Sequence, residues 1–212
     1  MVLFRHGHPH HLLPHQIPWR AHAAALQALD VRALLLTSSV GVLDRSVPLY
    51  VPHLAADLLM PDNRLPDGSM CTMWPEPTAG QGHLVVDQGL FNAPLGDWLT
   101  AALGLPRRRL RFAYVPGPRT KTAAENALLQ SLGIEVNSMS IGPEVVLANE
   151  LEIPTIALLT GHKASASGGP GAAAISRSLD DARTANLAAV LRFLNGAPDV
   201  AFGNLLYRFD PA

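Results

Sequence analysis

Asn137-Ser138-Met139-Ser140-Ile141-Gly142-Pro143-Glu144-Val145-Val146-Leu147-Ala148 is the stretch on which the fold turns. A short apolar run, Gly133 to Val136, precedes it and reads as a strand. Val145 to Leu151 follows it and reads as a helix. Between them Pro143 suits a first helical turn, where its missing N–H costs little, and Glu144 there complements the positive helix end. The segment is a strand–loop–helix corner that delivers Met139 and Ser140 to a strand tip. In open α/β sheets ligands sit at that edge.

Working outward, strand-like and helix-like runs alternate. Val2 to Arg5 reads as a short strand, followed by a His- and Pro-rich loop to Pro18. Trp19 to Leu29 has helical spacing, and Val31 to Thr37 is a continuous apolar run of buried-strand type. Ser38 to Leu43 reads as a turn, and Val47 to Leu59 as one bent strand or two short ones. Met60 to His83 is a long loop, suited to a site lid or a subunit boundary. Leu95 to Leu103 is a helix closed by Gly104, Leu110 to Val115 a strand, and Thr122 to Leu132 a helix closed by Gly133. Pro154 to Thr160 is another buried strand, and Lys163 to Ala174 a low-complexity mobile loop. Ser178, with Asp181 three residues on, signals the N-cap of a last helix running to about Asn195. This alternation predicts one α/β domain over residues 1–212, its mostly parallel sheet covered by helices on both faces.

Composition narrows the function classes. At 212 residues, with 48% hydrophobic and 16% charged residues, the chain can bury one sizeable core. A net charge of −1 gives no reason to expect nucleic acid or an acidic membrane surface as partner. The cluster Arg107-Arg108-Arg109-Leu110-Arg111 reads as a solvated corner leading into a strand. Cys71 is alone, so no intramolecular disulfide forms and a reducing, cytoplasmic setting is expected. No run reaches the roughly 18 apolar residues of a membrane span, and Met1 to Phe4 is too short for a signal-peptide core. His6, His8 and His11 have the spacing of a binuclear metallo-hydrolase motif, but its Asp position is His10, so no metal site is expected. No Gly-x-Ser-x-Gly elbow is present, and Gly168-Gly169-Pro170-Gly171 lacks the lysine and hydroxyl of a P-loop.

Four segments matter together: Phe4-Arg5-His6-Gly7, Leu36-Thr37-Ser38-Ser39-Val40-Gly41, Val115-Pro116-Gly117-Pro118-Arg119, and Ser138-Met139-Ser140 with Pro143-Glu144-Val145-Val146. All sit at expected strand ends. The set and its order resemble the purine nucleoside phosphorylase family, most closely its trimeric 5′-methylthioadenosine phosphorylase branch, over roughly Phe4 to Thr160. The resemblance implies a single α/β domain around a mixed, mostly parallel, barrel-like sheet flanked by helices, commonly assembled as a homotrimer. It implies cleavage of a purine-type N-glycosidic bond with inorganic phosphate as co-substrate and no other cofactor. The product pair is a sugar 1-phosphate and a free base.

Carried over residue by residue, the resemblance assigns Arg5, His6, Ser38, Ser39 and Ser140 to phosphate and Met139 to the floor beneath the ribose. These types fit the chemistry: an arginine fork, an imidazole and hydroxyls hold an anion below the anomeric carbon. An oxocarbenium-like transition state gains from that anion and from an apolar floor.

The chain also departs from the family. The family begins with a strand and a Gly-rich phosphate loop ahead of the Arg-His pair, here at Arg5 and His6. Either the start lies upstream or the sheet is trimmed by about two strands and its anion site half open. The base-stacking Phe is Thr120, the acid that follows it in trimeric purine enzymes is Lys121, and the two Asp of the base edge are Gly161 and Lys163, with His162 between them. Thr120, Gly161, His162 and Lys163 are therefore expected to line a rewritten base pocket. A lost stacking ring forfeits about 1–3 kcal/mol of base binding. A phosphate-independent nucleosidase, an enzyme repurposed for a nucleoside-derived metabolite, and a non-catalytic descendant are the alternatives.

Overall fold

Burial alternates along Leu34–Val42, the first strand, and that alternation explains the architecture. In the computed structural model, which describes residues 1–165 and 172–208, this strand (β1) is followed by β2 (Pro52–Leu59), β3 (Gly82–Val85), β4 (Leu110–Tyr114), β5 (Val136–Ser138), β6 (Thr155–Ala164) and β7 (Leu205–Arg208). The helices are α1 (Trp19–Ala28), α2 (Ala93–Leu103), α3 (Ala123–Ser131), α4 (Gly142–Glu150) and α5 (Ala172–Leu194).

Five strands close into a barrel in the order β1–β5–β4–β2–β6. β1 runs parallel to β6, β2 to β4 and β4 to β5, while β1–β5 and β2–β6 are antiparallel. Leu36, Val40 and Val42 of β1 fill the barrel interior with Phe112, Val136 and Leu159. Fully burying a side chain of this size is worth about 1.5–3 kcal/mol. On the outside, Leu54, Ile156 and Leu158 pack against Leu95 and Leu99 of α2 and Ala189 of α5. The sheet is mixed, mostly parallel and barrel-like with helices around it, as the family resemblance implies. Among the described residues no helix is long and apolar enough to cross a membrane.

Helix ends follow their sequence signals. Asn92 caps α2 by accepting from the Leu95 N–H at 3.0 Å, and Gly104 closes it in the left-handed region at φ 62°. Thr122 and Glu125 form a capping box at the start of α3.

Elsewhere tertiary context overrides the local reading. Val2 to Arg5 is not a strand: the backbone turns, with the Gly7 N–H donating to the Phe4 carbonyl at 2.8 Å, and residues 1–4 are exposed. Ser38 to Leu43 is not a turn, because β6 pairs with β1 through Val42 and carries these small polar residues inside the sheet. Ser178 is no N-cap; it lies within α5, which begins at Ala172. The expected Lys163–Ala174 loop is in part strand, since β6 continues to Ala164; residues 166–171 lie outside the described residues. The two-stranded β3–β7 sheet has no signal that the sequence reading caught.

Gly142 opens α4 over Tyr114: a Cβ there would lie 2.5 Å from Tyr114 Cβ and 2.6 Å from Cγ. Those atoms are close to the β4 backbone and have little freedom to yield. Gly142→Ala is expected to destabilise the protein by about 1–3 kcal/mol, read from the urea midpoint at unchanged m.

Candidate active site

The tip of β5 and the middle of β1 face each other at one end of the barrel. Their antiparallel register pairs Gly41 with Asn137 and Val42 with Val136. Continuing that register brings Ser38 against Ser138 and Ser140. Ser38 Oγ lies 2.8 Å from Ser138 Oγ and 3.4 Å from Ser140 Oγ. Ser138 Oγ lies 3.2 Å from Ser140 Oγ and accepts from the Ser140 N–H at 3.1 Å. All three are buried. Ile141 follows at φ 60°, a left-handed residue that turns the chain into α4.

Arg5 reaches this corner from the N-terminal turn. Its Nε donates to Glu144 Oε2 at 2.8 Å and to Oε1 at 3.0 Å, and its Nη1 donates to the Thr37 carbonyl at 2.9 Å. Nη2 makes no hydrogen bond among the described residues. The pair is largely buried, with 17% and 11% of the two side chains exposed. His6 stands beside it, with Nδ1 2.9 Å from the Leu12 carbonyl and its ring stacked 4.4 Å from that of His10. Burial pushes the His6 pKa down. His22 of α1 also feels Glu144 and Arg5; burial lowers its pKa, and its Nδ1 has no partner among the described residues.

The other face of β1 and β5 carries Ser39, Gly41 and Asn137, with Met139 just beyond the strand. A Cβ on Gly41 would lie 2.2 Å from Ser165 Oγ and 3.2 Å from Asn137 Oδ1. A Cβ on Gly117 would lie 3.0 Å from Met139 Sδ and 3.3 Å from Pro14 Cβ, so the Gly117 turn and Pro14 wall the methionine. Ser38 and Ser39 are successive strand residues and point to opposite faces, rather than sharing a turn.

The four residues expected in the base pocket do not share one surface. Thr120 is exposed, and its carbonyl accepts from Arg119 Nη1 at 3.1 Å. Gly161 faces inward, where a Cβ would lie 2.5 Å from Val42 Cγ2. His162 turns outward, its Nδ1 3.1 Å from Ser178 Oγ of α5. Lys163 sits in register with Gly41, because the pairing shifts between Val40–Gly161 and Gly41–Lys163. The shift places one extra residue in β6, and alternation across it cannot be read from spacing alone.

Sequence reading missed Glu144 as the partner of Arg5, having placed it only as a helix-end acid, and it missed Ser138 and His22. The i, i+2 spacing of Ser138 and Ser140 was the available signal for the hydroxyl cluster. The histidines of the N-terminal motif go to separate partners: His8 packs on Phe4, and His11 Nδ1 lies 2.7 Å from the Pro9 carbonyl. Cys71 is buried and its thiol is pushed up to about 12 by burial, which leaves little thiolate at neutral pH.

Fold and site define an α/β-barrel protein whose end gathers an arginine, a glutamate and three hydroxyls, with Met139 on the neighbouring face. The chain belongs to the phosphorylase superfamily, whose family model matches residues 1–195. It is 31% identical over 160 residues to a probable S-methyl-5′-thioinosine phosphorylase of Pseudomonas syringae pv. tomato, covering 72% of this chain and 62% of the relative. It is 33% identical over 177 residues to a probable 6-oxopurine nucleoside phosphorylase of Thermococcus kodakarensis, covering 79% of this chain and 65% of the relative. The chain thus spans less than two thirds of either relative. A methylthioadenosine phosphorylase from an antarctic soil metagenomic library has the same fold, at a TM-score of 0.74 and 21% identity, covering 92% of this chain and 71% of that one.

Removing one partner of a largely buried ion pair leaves the other charge uncompensated. Glu144→Ala is expected to cost about 2–4 kcal/mol in urea unfolding, and the double change with Arg5→Ala less than the sum of the single ones.

His162 gives a pH signature. Burial first, and the Lys163 charge second, lower its pKa from 6.5 to about 4. Between those values the unfolded chain binds a proton that the folded chain does not. Stability should therefore fall as the pH drops from 6.5 towards 4, by up to about 3 kcal/mol. His162→Gln should flatten that part of the curve, measured by unfolding across pH 4–7.

Proposed function

We propose that the chain catalyses phosphorolysis of a purine-type nucleoside, in the manner of a methylthioadenosine phosphorylase with an altered base end. Inorganic phosphate is the co-substrate and no other cofactor is required. A phosphate oxygen attacks the anomeric carbon, the C–N bond breaks, and its electron pair leaves with the base, which takes up a proton. Arg5, His6, Ser38 and Ser140 serve the phosphate, Met139 lies under the sugar, and Ser39, which faces away from the inner hydroxyls, stands on the Met139 side of β1. The working form is a homotrimer in the cytoplasm, with the long stretch from Met60 to His83 at a subunit boundary.

One observation carries this reading: residues far apart in sequence converge at one barrel end. Arg5 meets Glu144 across 139 positions and Ser38 meets Ser140 across 102. Nη2 of Arg5 is the guanidinium nitrogen left for a ligand. The match to the phosphorylase superfamily over residues 1–195 gives that convergence its chemistry.

A second reading, phosphate-independent hydrolysis of the same bond, is favoured by the Arg5–Glu144 pair. A guanidinium already neutralised by a carboxylate attracts phosphate less strongly.

Base release from methylthioadenosine, adenosine and inosine, with and without phosphate, separates the two. Phosphorolysis predicts release that requires phosphate and falls roughly a hundredfold or more in Arg5→Ala. Release at the same rate without phosphate would establish hydrolysis and sink phosphorolysis.

A further inference from the structure

Lys121 lies just ahead of α3 and Lys163 near the end of β6, close enough that Lys121 feels the Lys163 charge. Side chains of α3 and β5 tie this corner to Ser165, the residue after β6. Asn126 Nδ2 of α3 donates to the Ser165 carbonyl at 2.9 Å, and Asn137 Nδ2 of β5 donates to Ser165 Oγ at 3.2 Å. Lys163 is in register with Gly41, whose neighbours on that face are Asn137 and Ser165. Met139 lies two residues beyond Asn137, so alternation carried past the end of β5 puts the methionine on the face that Gly41 and Lys163 share.

Both lysines are half-buried, and neither has a hydrogen-bond or carboxylate partner among the described residues. The acid that Lys121 feels, Glu125, is committed elsewhere. It takes Arg119 Nη2 at 2.7 Å, Arg119 Nη1 at 2.9 Å and the Thr122 N–H at 2.7 Å. Burial first and the Lys163 charge second lower the Lys121 pKa to about 8, with Glu125 opposing. Asn126 is only 5% exposed, yet its Oδ1 has no partner among the described residues. Because Nδ2 is fixed on the Ser165 carbonyl, the amide orientation is settled and the bare atom is an acceptor.

Two unpaired ammonium groups and one buried, bare acceptor form a donor–acceptor set with a missing counterpart. We propose that Lys121 and Lys163 bind a carboxylate carried by the ligand's heterocycle, while Asn126 Oδ1 accepts from an N–H of the same ring. The inference rests on the reading of Met139 as the sugar floor and names the aglycone class for that site: a heteroaromatic acid in place of a plain aminopurine. A single carboxylate relieves the repulsion between the ammonium groups, and its charge-assisted bonds repay more of the desolvation than a neutral amide would.

The test compares purine-6-carboxylate with purine-6-carboxamide by calorimetry at pH 7. The carboxylate should bind roughly tenfold or more tightly to the unaltered protein. Lys121→Gln and Lys163→Gln should each shrink that preference several-fold, and Lys163→Glu should reverse it. The preference should also weaken above pH 8, where Lys121 loses its proton against Lys163 and Glu125, the charged groups that face it. Equal binding of the two probes, or a preference unchanged in all three variants, overturns the subsite. Phosphate-dependent base release in the same preparation is read separately. Release without a carboxylate preference overturns the subsite alone, and a lysine-dependent preference without release upholds the subsite while overturning phosphorolysis.

Discussion

The pairing of β1 with β6 is the constraint on which the rest of the structure depends. It runs in parallel from Leu34–Thr155 to Val42–Ala164. It joins two strands far apart in the chain, so it must be held by what lies on both faces. Inside, Leu36, Val40, Ala157 and Leu159 belong to one core; outside, Leu158 packs with α2 and α5. The same pairing sets the chemistry. It keeps Ser38 and Ser39 in extended backbone, which sends one hydroxyl to the inner cluster and the other to the open face. Its shift near Gly161 gives Lys163 the register of Gly41 and leaves His162 to α5.

Electrostatics at the barrel end are less permissive than a bare arginine would suggest. Arg5 is held by Glu144 through Nε and by the Thr37 carbonyl through Nη1. Those bonds fix the guanidinium plane, so a bond from Nη2 would cost little further side-chain freedom. The same glutamate offsets the positive charge. An incoming oxyanion therefore gains geometry and loses field strength, and net binding depends on how far His6, His22 and the helix α4 N-terminus make up the difference. His6 and His22 are both pushed towards neutrality by burial, so at neutral pH they act as hydrogen-bonding groups more than as charges.

Legibility in the sequence tracked how local the determining physics was. Helices α2 and α3 were readable because caps and glycines lie inside the segments: Asn92 and Gly104, Thr122 and Glu125. The core strands were readable from apolar runs. What failed needed a partner strand or helix to decide it. Val2 to Arg5 has strand-like residues and no strand beside it, whereas Ser38 to Leu43 has turn-like residues and two. Ser178 carries a capping signal that a longer helix overrides, and its hydroxyl meets His162 instead. In the candidate site, only the family resemblance singles out Arg5, Ser38, Ser140 and Met139 together, because nothing local in the sequence spans their separations. The pairing of Glu144 with Arg5 is not legible, since an acid at a helix start already has a sufficient local reason to be there.

The hydroxyl cluster itself limits how an anion could be received. Ser38, Ser138 and Ser140 each own one O–H donor, and their three contacts at 2.8, 3.2 and 3.4 Å can absorb all of them. Without a ligand the cluster is satisfied and costs the fold little, which is why three buried hydroxyls are tolerated beside an apolar core. An oxyanion can draw donors from it only by rotating hydroxyls out of mutual bonds. The shorter Ser38–Ser138 bond is the harder one to give up, and the 3.4 Å Ser38–Ser140 contact the easiest. Ser140 is the member next to the left-handed Ile141 and the start of α4, and its carbonyl accepts from the Gly142 N–H at 2.9 Å. Of the three, Ser140 therefore has the hydroxyl that would cost least to turn, and Ser138, which contacts both others and accepts from the Ser140 N–H, the one that would cost most.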